Sequence, residues 1–567
     1  MKKLSKLLSF VISFVIVSAV LFPNDVISQR RLAEPSPNQF RWQEQDRIMF
    51  IHFGMATWQG REYDNFSTDL KRVNPAKLNT DQWCRAAKSW GAKQIIFVAK
   101  HVGGFCWWPT TSTDYNVSNI AWKNGGGDVF KELSASCKKY GLGLGVYIYP
   151  GDDRWGAGLG SGGKTNDPSK QEAYNKVYRQ QVTEVLTRYG KMQEVWFDGS
   201  CIIDVGDILA KYAKEAVIFQ GPQASIRWSG NEAGQAPYPA WNSLDSADLL
   251  TGVATSVQGN PDGNAWAPLE CDVTLYNHNW FWSENNEKKR RNLGELMEIY
   301  YKSAGRGAIM LLNATPDTSG LIPEGDMKRY AELGAEIDRR FSRPLATIVN
   351  KKGSVIELPL GKPTAINHIV IMEDYRRGER IRGYKVEGYV NGRWQKLSEG
   401  SSIGRKKIDW FGTVAVSGIR LQITKSAGEP LLRSISLYDI DNTPELEQVR
   451  ASKSGEWKFA DTWSEHSFTM GRAPIEVDLS PFIDEPGQYE LKFEQVGGKD
   501  SLRIEDAELW YDGEKALPEF LTRKGQELYI NRTAQVTPET TIRLKVVCSA
   551  GPAADSRGNI LVRKTPL

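Results

Sequence analysis

The segment Gln193-Glu194-Val195-Trp196-Phe197-Asp198-Gly199-Ser200 decides which fold the sequence predicts. Three apolar residues run directly into an acid, and a glycine and a serine then end the run. A short apolar run closed by turn residues is typical of a buried parallel strand, and α/β barrels place their chemistry at the carboxyl ends of such strands. Because burying a carboxylate is costly unless it is hydrogen-bonded or functional, Asp198 either caps the next helix or belongs to a site.

Strand and helix patterns alternate on both sides of this segment, from about residue 40 to 341. Further strand patterns occur at 47–54, 93–101, 143–150, 216–219 and 308–313, and helix patterns at 80–90, 128–140, 169–189 and 292–303. Repeated β/α units over about 300 residues predict an α/β fold with a (β/α)8-type barrel. The connection between residues 221 and 292 has little regular pattern, and such barrels build binding sites in loops of this kind.

After residue 341 the pattern changes to short strands without a helical period. Residues 342–441 contain β-rich runs such as 366–372 and 418–423, and residues 449–567 are β-rich again, with clean alternation at 488–493. Both regions predict β-sandwiches, joined by a polar linker at 442–448. The predicted architecture is therefore a barrel at 40–341 followed by two β-sandwich domains.

The N-terminus predicts export. A basic start at residues 1–6 precedes an apolar stretch at 7–22, and Ser28 is a small residue near a cleavage point. This pattern is typical of a secretory signal peptide at residues 1–28. No later stretch is long and apolar enough to span a bilayer, so we expect a soluble mature protein in the periplasm or outside the cell.

Composition narrows the class of protein. A chain of 567 residues is too long for one hydrophobic core, and its net charge of +4 is small for this length, which implies no nucleic-acid partner. The 60 aromatic residues (19 Trp, 21 Tyr and 20 Phe) can stack on sugar rings or fill β-rich cores. The six cysteines lack CxxC and zinc spacings, so we expect buried free thiols, with one disulfide possible.

Two histidines stand at the ends of predicted barrel strands. His52 ends the first strand and His101 the second, as Asp198 ends the fourth. Imidazoles that converge on one barrel mouth suit hydrogen bonding to sugar hydroxyls. A metal site needs a tighter cluster of histidines and carboxylates, so we predict neither a metal nor another cofactor.

Asp198 needs a second carboxyl group if it acts in a glycosidase. Retaining hydrolysis uses one carboxylate as nucleophile and another, about 5–5.5 Å away, as acid/base. Glu232, in a glycine-flanked loop, and Glu270, in an apolar segment, are the two candidates. An apolar neighbourhood would raise either pKa towards the range of a general acid, although each taken alone is more often a surface loop acid.

Four further residues are candidates for contact with a sugar through stacking or hydrogen bonds. They are Trp58, Glu62, Tyr147 and Trp228. For each of them alone, ordinary packing or a solvated loop is the commoner explanation.

The combined motifs resemble the α-L-fucosidases of glycoside hydrolase family 29, in the branch associated with α-1,3/4-linked fucose on branched glycans. The resemblance covers residues 40–341, and its motifs are Ile51-His52-Phe53-Gly54-Met55, Ala99-Lys100-His101, Gly104-Phe105-Cys106, Trp108-Pro109, Glu194-Val195-Trp196-Phe197-Asp198-Gly199, Gly230-Asn231-Glu232-Ala233-Gly234 and Glu270-Cys271-Asp272-Val273. It implies a retaining exo-glycosidase without a cofactor, which removes terminal α-L-fucose from oligosaccharides or glycoconjugates.

The resemblance also implies a role for individual residues. Asp198 matches the nucleophile and Glu232 the acid/base, with Glu270 as the alternative acid/base. His52 and His101 match histidines that contact the sugar, and Trp108 matches an aromatic wall.

Two departures from the family pattern affect the proposed sugar pocket. The family usually has Lys-His-His-Asp-Gly-Phe where this chain has Lys100-His101-Val102-Gly103-Gly104-Phe105, and Ser-Pro-Trp-Asp where it has Tyr149-Pro150-Gly151-Asp152. A histidine and an acid are missing, and loss of the indole at Gly151 predicts open space. Each lost hydrogen bond to a sugar costs about 1 kcal/mol or more. Two alternatives follow, a glycosidase for another sugar such as α-L-galactose, or a non-catalytic glycan-binding protein.

The region at 342–441 resembles discoidin-type (F5/8 type C) modules. Such modules often bind glycans through their loops, and many are only structural companions of an enzyme domain. The region at 449–567 resembles no family on its residues.

Overall fold

The computed structural model describes residues 32–249, 258–276, 279–440 and, with short gaps, 457–565. The predicted signal peptide at 1–28 and the linker at 442–448 lie outside the described residues. Within the described ranges, no helix combines the length and the apolar character that crossing a membrane requires. All six cysteines are described, and each is buried and unpaired, as expected.

The first sheet contains eight parallel strands. They are β1 Arg47–Ile51, β2 Gln94–Lys100, β3 Gly143–Ile148, β4 Glu194–Trp196, β5 Val217–Phe219, β6 Arg227–Trp228, β9 Leu269–Val273 and β10 Ile309–Ala314, and β7 Ser243–Leu244 pairs with β8 Ala265–Trp266 outside the sheet. The strand order is β5-β4-β3-β2-β1-β10-β9-β6. Phe219 in β5 also forms a parallel bridge with Ile226 beside β6, so the sheet is a nearly closed barrel. The predicted barrel fold is confirmed.

Nine helices of the described chain connect or flank these strands. They are α1 Pro37–Gln43, α2 Met55–Gln59, α3 Thr80–Ser89, α4 Val129–Tyr140, α5 Gln171–Arg188, α6 Gly206–Tyr212, α7 Ser246–Leu249, α8 Leu293–Lys302 and α9 Glu324–Phe341. Helix α4 begins where the Asp128 side chain accepts a hydrogen bond from Lys131 N, at 2.9 Å. It ends at Gly141, whose φ of 66° is strained for other residues. Val129 and Leu133, one turn apart, are buried on its inner face.

The first β-domain contains one antiparallel sheet of six strands. They are β11 Ala346–Lys352, β12 Val355–Glu373, β13 Ile381–Val390, β14 Arg393–Gly400, β15 Lys407–Ser426 and β16 Leu431–Tyr438, in the order β11-β16-β12-β15-β13-β14. Register shifts interrupt the pairing of β12 with β15 between residues 359 and 368, and such irregularities bend strands. Ile356 and Ile369, from opposite ends of β12, belong to one buried core, so the two halves of the sheet enclose it as a sandwich.

The last domain contains two packed antiparallel sheets. Its strands are β17 Lys458–Trp463, β18 Arg472–Asp478, β19 Gly487–Gly497, β20 Arg503–Tyr511, β21 Glu514–Lys515, β22 Leu521–Lys524, β23 Glu527–Arg532, β24 Ile542–Ser549 and β25 Arg557–Lys564. The sheet orders are β17-β25-β19-β23-β22 and β18-β24-β20-β21. Val477 and Leu491, one from each sheet, lie in the same buried core.

Candidate active site

Alternation along the barrel strands directs two predicted residues into the barrel mouth. Phe50 of β1 and Trp196 of β4 pack inside the barrel, with ring centroids 5.0 Å apart. Successive side chains of a strand alternate between its faces. His52 and Asp198 therefore follow these two residues on the inner side, just beyond the carboxyl ends of their strands.

Tyr147 of β3 connects these strand-end residues. Its hydroxyl donates a hydrogen bond to Asp198 Oδ2 at 2.9 Å, and its ring lies 5.8 Å from that of His101 and 6.1 Å from that of His52. Burial raises the pKa of Tyr147, and the negative charge of Asp198 raises it further. The phenol therefore keeps its proton and orients the Asp198 carboxylate.

The two histidines of the mouth are neutral at neutral pH. Burial lowers the pKa of His101 to about 4, and burial and the charge of His101 lower the pKa of His52. Asn313 donates from Nδ2 to Trp280 O at 2.8 Å, so its Oδ1 faces His52 Nδ1, also at 2.8 Å. His52 Nδ1 is thus the donor, and Nε2 is an acceptor suited to a sugar hydroxyl.

The loop that carries Glu232 is shaped by the side chain of Asn231. Asn231 Oδ1 accepts hydrogen bonds from Ala233 N at 3.1 Å and Gln235 N at 3.3 Å, while its Nδ2 donates to Gln235 O at 2.9 Å. Ala233 also forms an antiparallel bridge with Val273 at the end of β9. These bonds hold the half-buried Glu232 in a tight turn beside β9.

Asp272 is a third carboxyl group beside Glu232, and it is not among the residues predicted from the sequence. Trp228 Nε1 donates a hydrogen bond to Asp272 Oδ1 at 2.6 Å. Burial raises the pKa of Asp272, and the negative charges of Glu232 and Asp198 raise it further. Both predicted catalytic carboxyl groups therefore lie close enough to Asp272 for their charges to disfavour its ionised form.

Residues 29–339 match the family model described as Alpha-L-fucosidase. The chain belongs to the α-L-fucosidase family. It is similar to Alpha-L-fucosidase 1 of Arabidopsis thaliana, with 32% identity over 453 residues, which are 71% of this chain and 87% of the relative. The predicted membership in this family is confirmed, and the protein is a glycoside hydrolase.

Solved structures give the same result. A Bacteroides thetaiotaomicron protein named as a candidate alpha-L-fucosidase has 33% identity and a TM-score of 0.68, over 72% of this chain and 100% of that chain. A glycoside hydrolase 29 family member from an unknown rumen bacterium has 25% identity and a TM-score of 0.66, over 94% of this chain and 100% of that chain. The second similarity extends through most of the β-rich half of the chain.

Glu270, the alternative acid/base of this fucosidase-family chain, lies away from the mouth. It pairs in register with Ile309, the first residue of β10, whereas Asn313 beside His52 is the fifth. Glu270 is completely buried, and Trp196 Nε1 donates both to Glu270 Oε2 at 2.9 Å and to Glu194 Oε1 at 3.0 Å. Glu270 therefore lies in the floor of the barrel. Strand alternation determines the face of the sheet on which a side chain lies but not its depth in the barrel, so the sequence pattern alone does not exclude Glu270 from the mouth.

The structure also shows where two predicted tryptophans pack. Trp108 is fully buried, and its Nε1 donates to Glu184 Oε2 of α5 at 2.8 Å. Its ring therefore packs under a barrel helix and forms no wall of the sugar pocket, contrary to the expectation from the resemblance. Trp58 packs on Phe53 and Trp107, with centroid distances of 5.4 and 6.2 Å.

Other aromatic residues surround the histidines instead. Trp280 lies 4.9 Å from the His52 ring, Phe281 lies 5.2 Å from the His101 ring, and the half-exposed Tyr63 stacks on His101 at 6.0 Å. The predicted Glu62 is tied to this group, because its Oε2 accepts a hydrogen bond from Trp280 N at 3.1 Å. No regular pattern in the sequence around Trp280 identifies it as a site residue.

The open space expected at Gly151 is absent, and the position of the missing acid at Gly103 is filled as well. A Cβ atom on Gly103 would lie 2.6 Å from Asp64 Cβ, and one on Gly151 would lie 2.4 Å from Ala157 O. Asp64 is itself fixed, since its Oδ2 accepts a hydrogen bond from Tyr115 at 2.6 Å. Neighbouring loops thus fill both positions, so loss of the larger side chains does not enlarge the pocket there.

Proposed function

We propose that this protein is a retaining exo-α-L-fucosidase that releases terminal α-1,3- or α-1,4-linked fucose from glycans. The observation that carries the proposal is the position of Asp198. It stands at the carboxyl end of β4, is oriented by the Tyr147 phenol, and shares its electrostatic surroundings with Glu232. Two carboxyl groups of this kind are what retaining glycoside hydrolysis requires.

In the proposed mechanism, Asp198 attacks the anomeric carbon of fucose while Glu232 gives its proton to the leaving oxygen. The glycosidic bond breaks as an ester forms between Asp198 and the sugar. A water molecule then attacks the same carbon, Glu232 accepts its proton, and Asp198 leaves as a carboxylate. Two successive inversions return the sugar to its original configuration.

The surrounding residues support binding of an uncharged sugar. His52 and His101 are neutral, so His52 Nε2 offers an acceptor to a sugar hydroxyl, and the neutral His101 ring has one donor and one acceptor. Trp280 and Tyr63 provide aromatic faces beside them, and such faces pack against the apolar sides of sugar rings.

The glycone is proposed to be fucose, with α-L-galactose as the alternative. L-Galactose carries one hydroxyl more than fucose, and the side-chain positions at Gly103 and Gly151 are already filled by Asp64 and the Ala157 carbonyl. A panel of aryl α-L-fucoside, α-L-galactoside and other aryl glycosides tests this choice. Higher kcat/KM on the galactoside than on the fucoside would overturn it. Sugar binding without any hydrolysis would instead support the non-catalytic alternative.

We also propose an exported enzyme, periplasmic or extracellular, because residues 1–28 have the pattern of a signal peptide. Mass analysis of the mature protein from an exporting host tests this proposal, and a full-length N-terminus recovered from the cytoplasm would contradict it.

The first β-domain is proposed to be a discoidin-like companion of the barrel.

Azide rescue tests the roles of the two carboxyl groups. The Asp198→Gly variant should lose hydrolysis of an aryl α-L-fucoside by on the order of 10⁴-fold, and azide should then give β-L-fucosyl azide. The Glu232→Gly variant should accumulate the fucosyl ester, which azide opens to α-L-fucosyl azide. Glu270→Gln is the matched control and should give neither product. The α-azide from the Glu270 variant, but not from the Glu232 variant, would assign acid/base catalysis to Glu270.

A further inference from the structure

The segment that follows the Glu232 loop is held between the barrel and the first β-domain. On the barrel side, Arg306 donates a hydrogen bond to Ala236 O at 2.5 Å. On the other side, the Tyr238 hydroxyl donates to Ser402 O at 3.1 Å and accepts from Ser401 N at 3.0 Å. Tyr238 is six residues beyond Glu232, so the anchors lie close to the proposed acid/base in the chain.

Glu379 of the first β-domain accepts two hydrogen bonds from this segment, one at each carboxylate oxygen. Its Oε2 accepts a hydrogen bond from Asn242 N at 2.9 Å, and its Oε1 accepts from Asn242 Nδ2 at 2.6 Å. Both side chains are buried, at 2% and 5% exposure. A buried carboxylate requires such partners because ionisation without them is costly.

Asn242 also forms a hydrogen bond with the barrel domain. Its carbonyl oxygen accepts a hydrogen bond from Ala267 N at 2.7 Å, two residues before β9, the strand that carries Asp272. The charge of Glu379 also favours the positive form of Arg227, although burial lowers the pKa of Arg227 to about 10. Arg227 directly precedes Trp228, the hydrogen-bond donor to Asp272.

We propose that Glu379 is a positioning residue for proton transfer, through which the first β-domain holds the loop of Glu232 and the end of β9 in their working geometry. This inference rests on the proposed role of Glu232. In the described part of the connection from β6 to β9, regular structure is limited to the two-residue strands β7 and β8 and the four-residue helix α7. Contacts with the neighbouring domain therefore replace the internal restraints of a larger helix or sheet. A displacement of about 1 Å at a catalytic group can cost about 100-fold in rate.

The test compares Glu379→Gln with Glu373→Gln in the full chain. A glutamine at 379 keeps the shape of the side chain but accepts through one atom only, so it cannot hold both Asn242 donors. Glu373 is the matched control. It is also a buried glutamate of the first β-domain, and its Oε1 accepts from Arg380 N at 2.5 Å and Ile381 N at 2.9 Å, within its own domain.

The measurement is kcat/KM for fucosyl fluoride and for a series of aryl α-L-fucosides with increasingly basic leaving groups. General acid catalysis contributes about 10²–10⁴-fold for basic leaving groups, whereas fluoride departs without it. We expect Glu379→Gln to lower kcat/KM at least about tenfold on the most basic leaving group and to leave fucosyl fluoride unchanged. The inference would be overturned if Glu379→Gln lowered kcat/KM equally on all substrates. It would also be overturned if kcat/KM of Glu373→Gln fell with leaving-group basicity as steeply as that of Glu379→Gln.

Two further variants keep the outcomes separate. Ser402→Ala removes the hydrogen bond from Ala240 N to Ser402 Oγ, at 3.1 Å. This variant should show the same leaving-group dependence as Glu379→Gln, and it provides the test if Glu379→Gln does not fold. Glu232→Ala should show that dependence at its full extent. No dependence in Glu232→Ala would refute the proposed function itself, while dependence there but not in the Glu379 and Ser402 variants would refute only the positioning role.

Discussion

Replacing Glu270 with glutamine should make the barrel more stable at alkaline pH and leave catalysis nearly intact. Glu270 and Glu194 are both completely buried and share the Trp196 indole N–H. Burial raises the pKa of Glu194 to about 7, against the hydrogen bonds from Trp42 and Gln94. Burial and the charge of Glu194 raise the pKa of Glu270 as well.

The sign and size of the effect follow from proton binding. Between the ordinary carboxyl pKa of about 4.5 and the folded value of about 7, the folded chain binds more protons at Glu194 than the unfolded chain. The free energy of unfolding therefore falls as pH rises, by about 3 kcal/mol for a shift of this size. Burial and the negative charge of Glu194 oppose ionisation of Glu270 too, so Glu270 adds a loss of stability of the same sign. Glu270→Gln removes that second loss.

Thermal unfolding of the full chain from pH 5 to 9 measures this effect. The loss of about 3 kcal/mol at Glu194 corresponds to roughly 6 °C in Tm for a domain of this size, and the variant should melt above wild type at pH 9 because it lacks the additional loss at Glu270. Glu184→Gln is the control, because Glu184 is also buried and accepts a tryptophan N–H but pairs with Arg188 instead of a second carboxyl group, so this variant should gain no stability at alkaline pH. Parallel Tm curves for wild type and Glu270→Gln would refute the account of the paired carboxyl groups.

Three other perturbations have defined outcomes. Tyr147→Phe should lower kcat on aryl fucosides by about tenfold or more, because a hydrogen bond to a charged carboxylate contributes about 1.5–3 kcal/mol, and unchanged kcat would contradict its role. The His101 imidazole should remain neutral from pH 7 down to about 5 by ¹⁵N NMR, since burial lowers its pKa to about 4; protonation near pH 6.5 would contradict this. Asp46→Asn should destabilise the chain by about 3 kcal/mol, because Asp46 is the buried partner of two basic side chains from the first β-domain. An unchanged melting curve for that variant would show that the ion pairs contribute nothing.

Elements with strong local signals were predicted well from the sequence. The helix predicted at 128–140 forms as α4, because its N-cap Asp128 and the left-handed Gly141 that ends it act within one turn of the chain. The run that ends at Asp198 forms strand β4, in which Trp196 is buried inside the barrel and Val195 is buried beneath the helices. Such features depend on neighbours in sequence and therefore leave a visible pattern.

The errors at the site have long-range causes. Trp108 packs against Glu184, 76 residues away in the chain, and nothing near Trp108 reports this contact. Glu270 and Asp272 share one face of β9, but only the register with β10 shows that Asp272 is the residue nearer the mouth. Alternation could have suggested Asp272, whereas its depth required the structure.

The apparent loss at Gly103 has a similar explanation. A glycine in a family motif suggests an empty position, yet Asp64 from the loop after α2 occupies the space. Residues 64 and 103 approach each other only in the folded barrel. A single sequence does not reveal that one loop has replaced the bulk that another has lost.

Trapping the covalent intermediate tests the central claim most directly. Incubation with 2-deoxy-2-fluoro-α-L-fucosyl fluoride slows both steps, but the fluoride still leaves readily, so the sugar ester should accumulate. Peptide mass spectrometry is predicted to find one fluorofucosyl group, on Asp198, and none after the Asp198→Asn substitution. An adduct on another carboxyl group would contradict the proposed role of Asp198, as would rapid turnover that releases the β-anomer first.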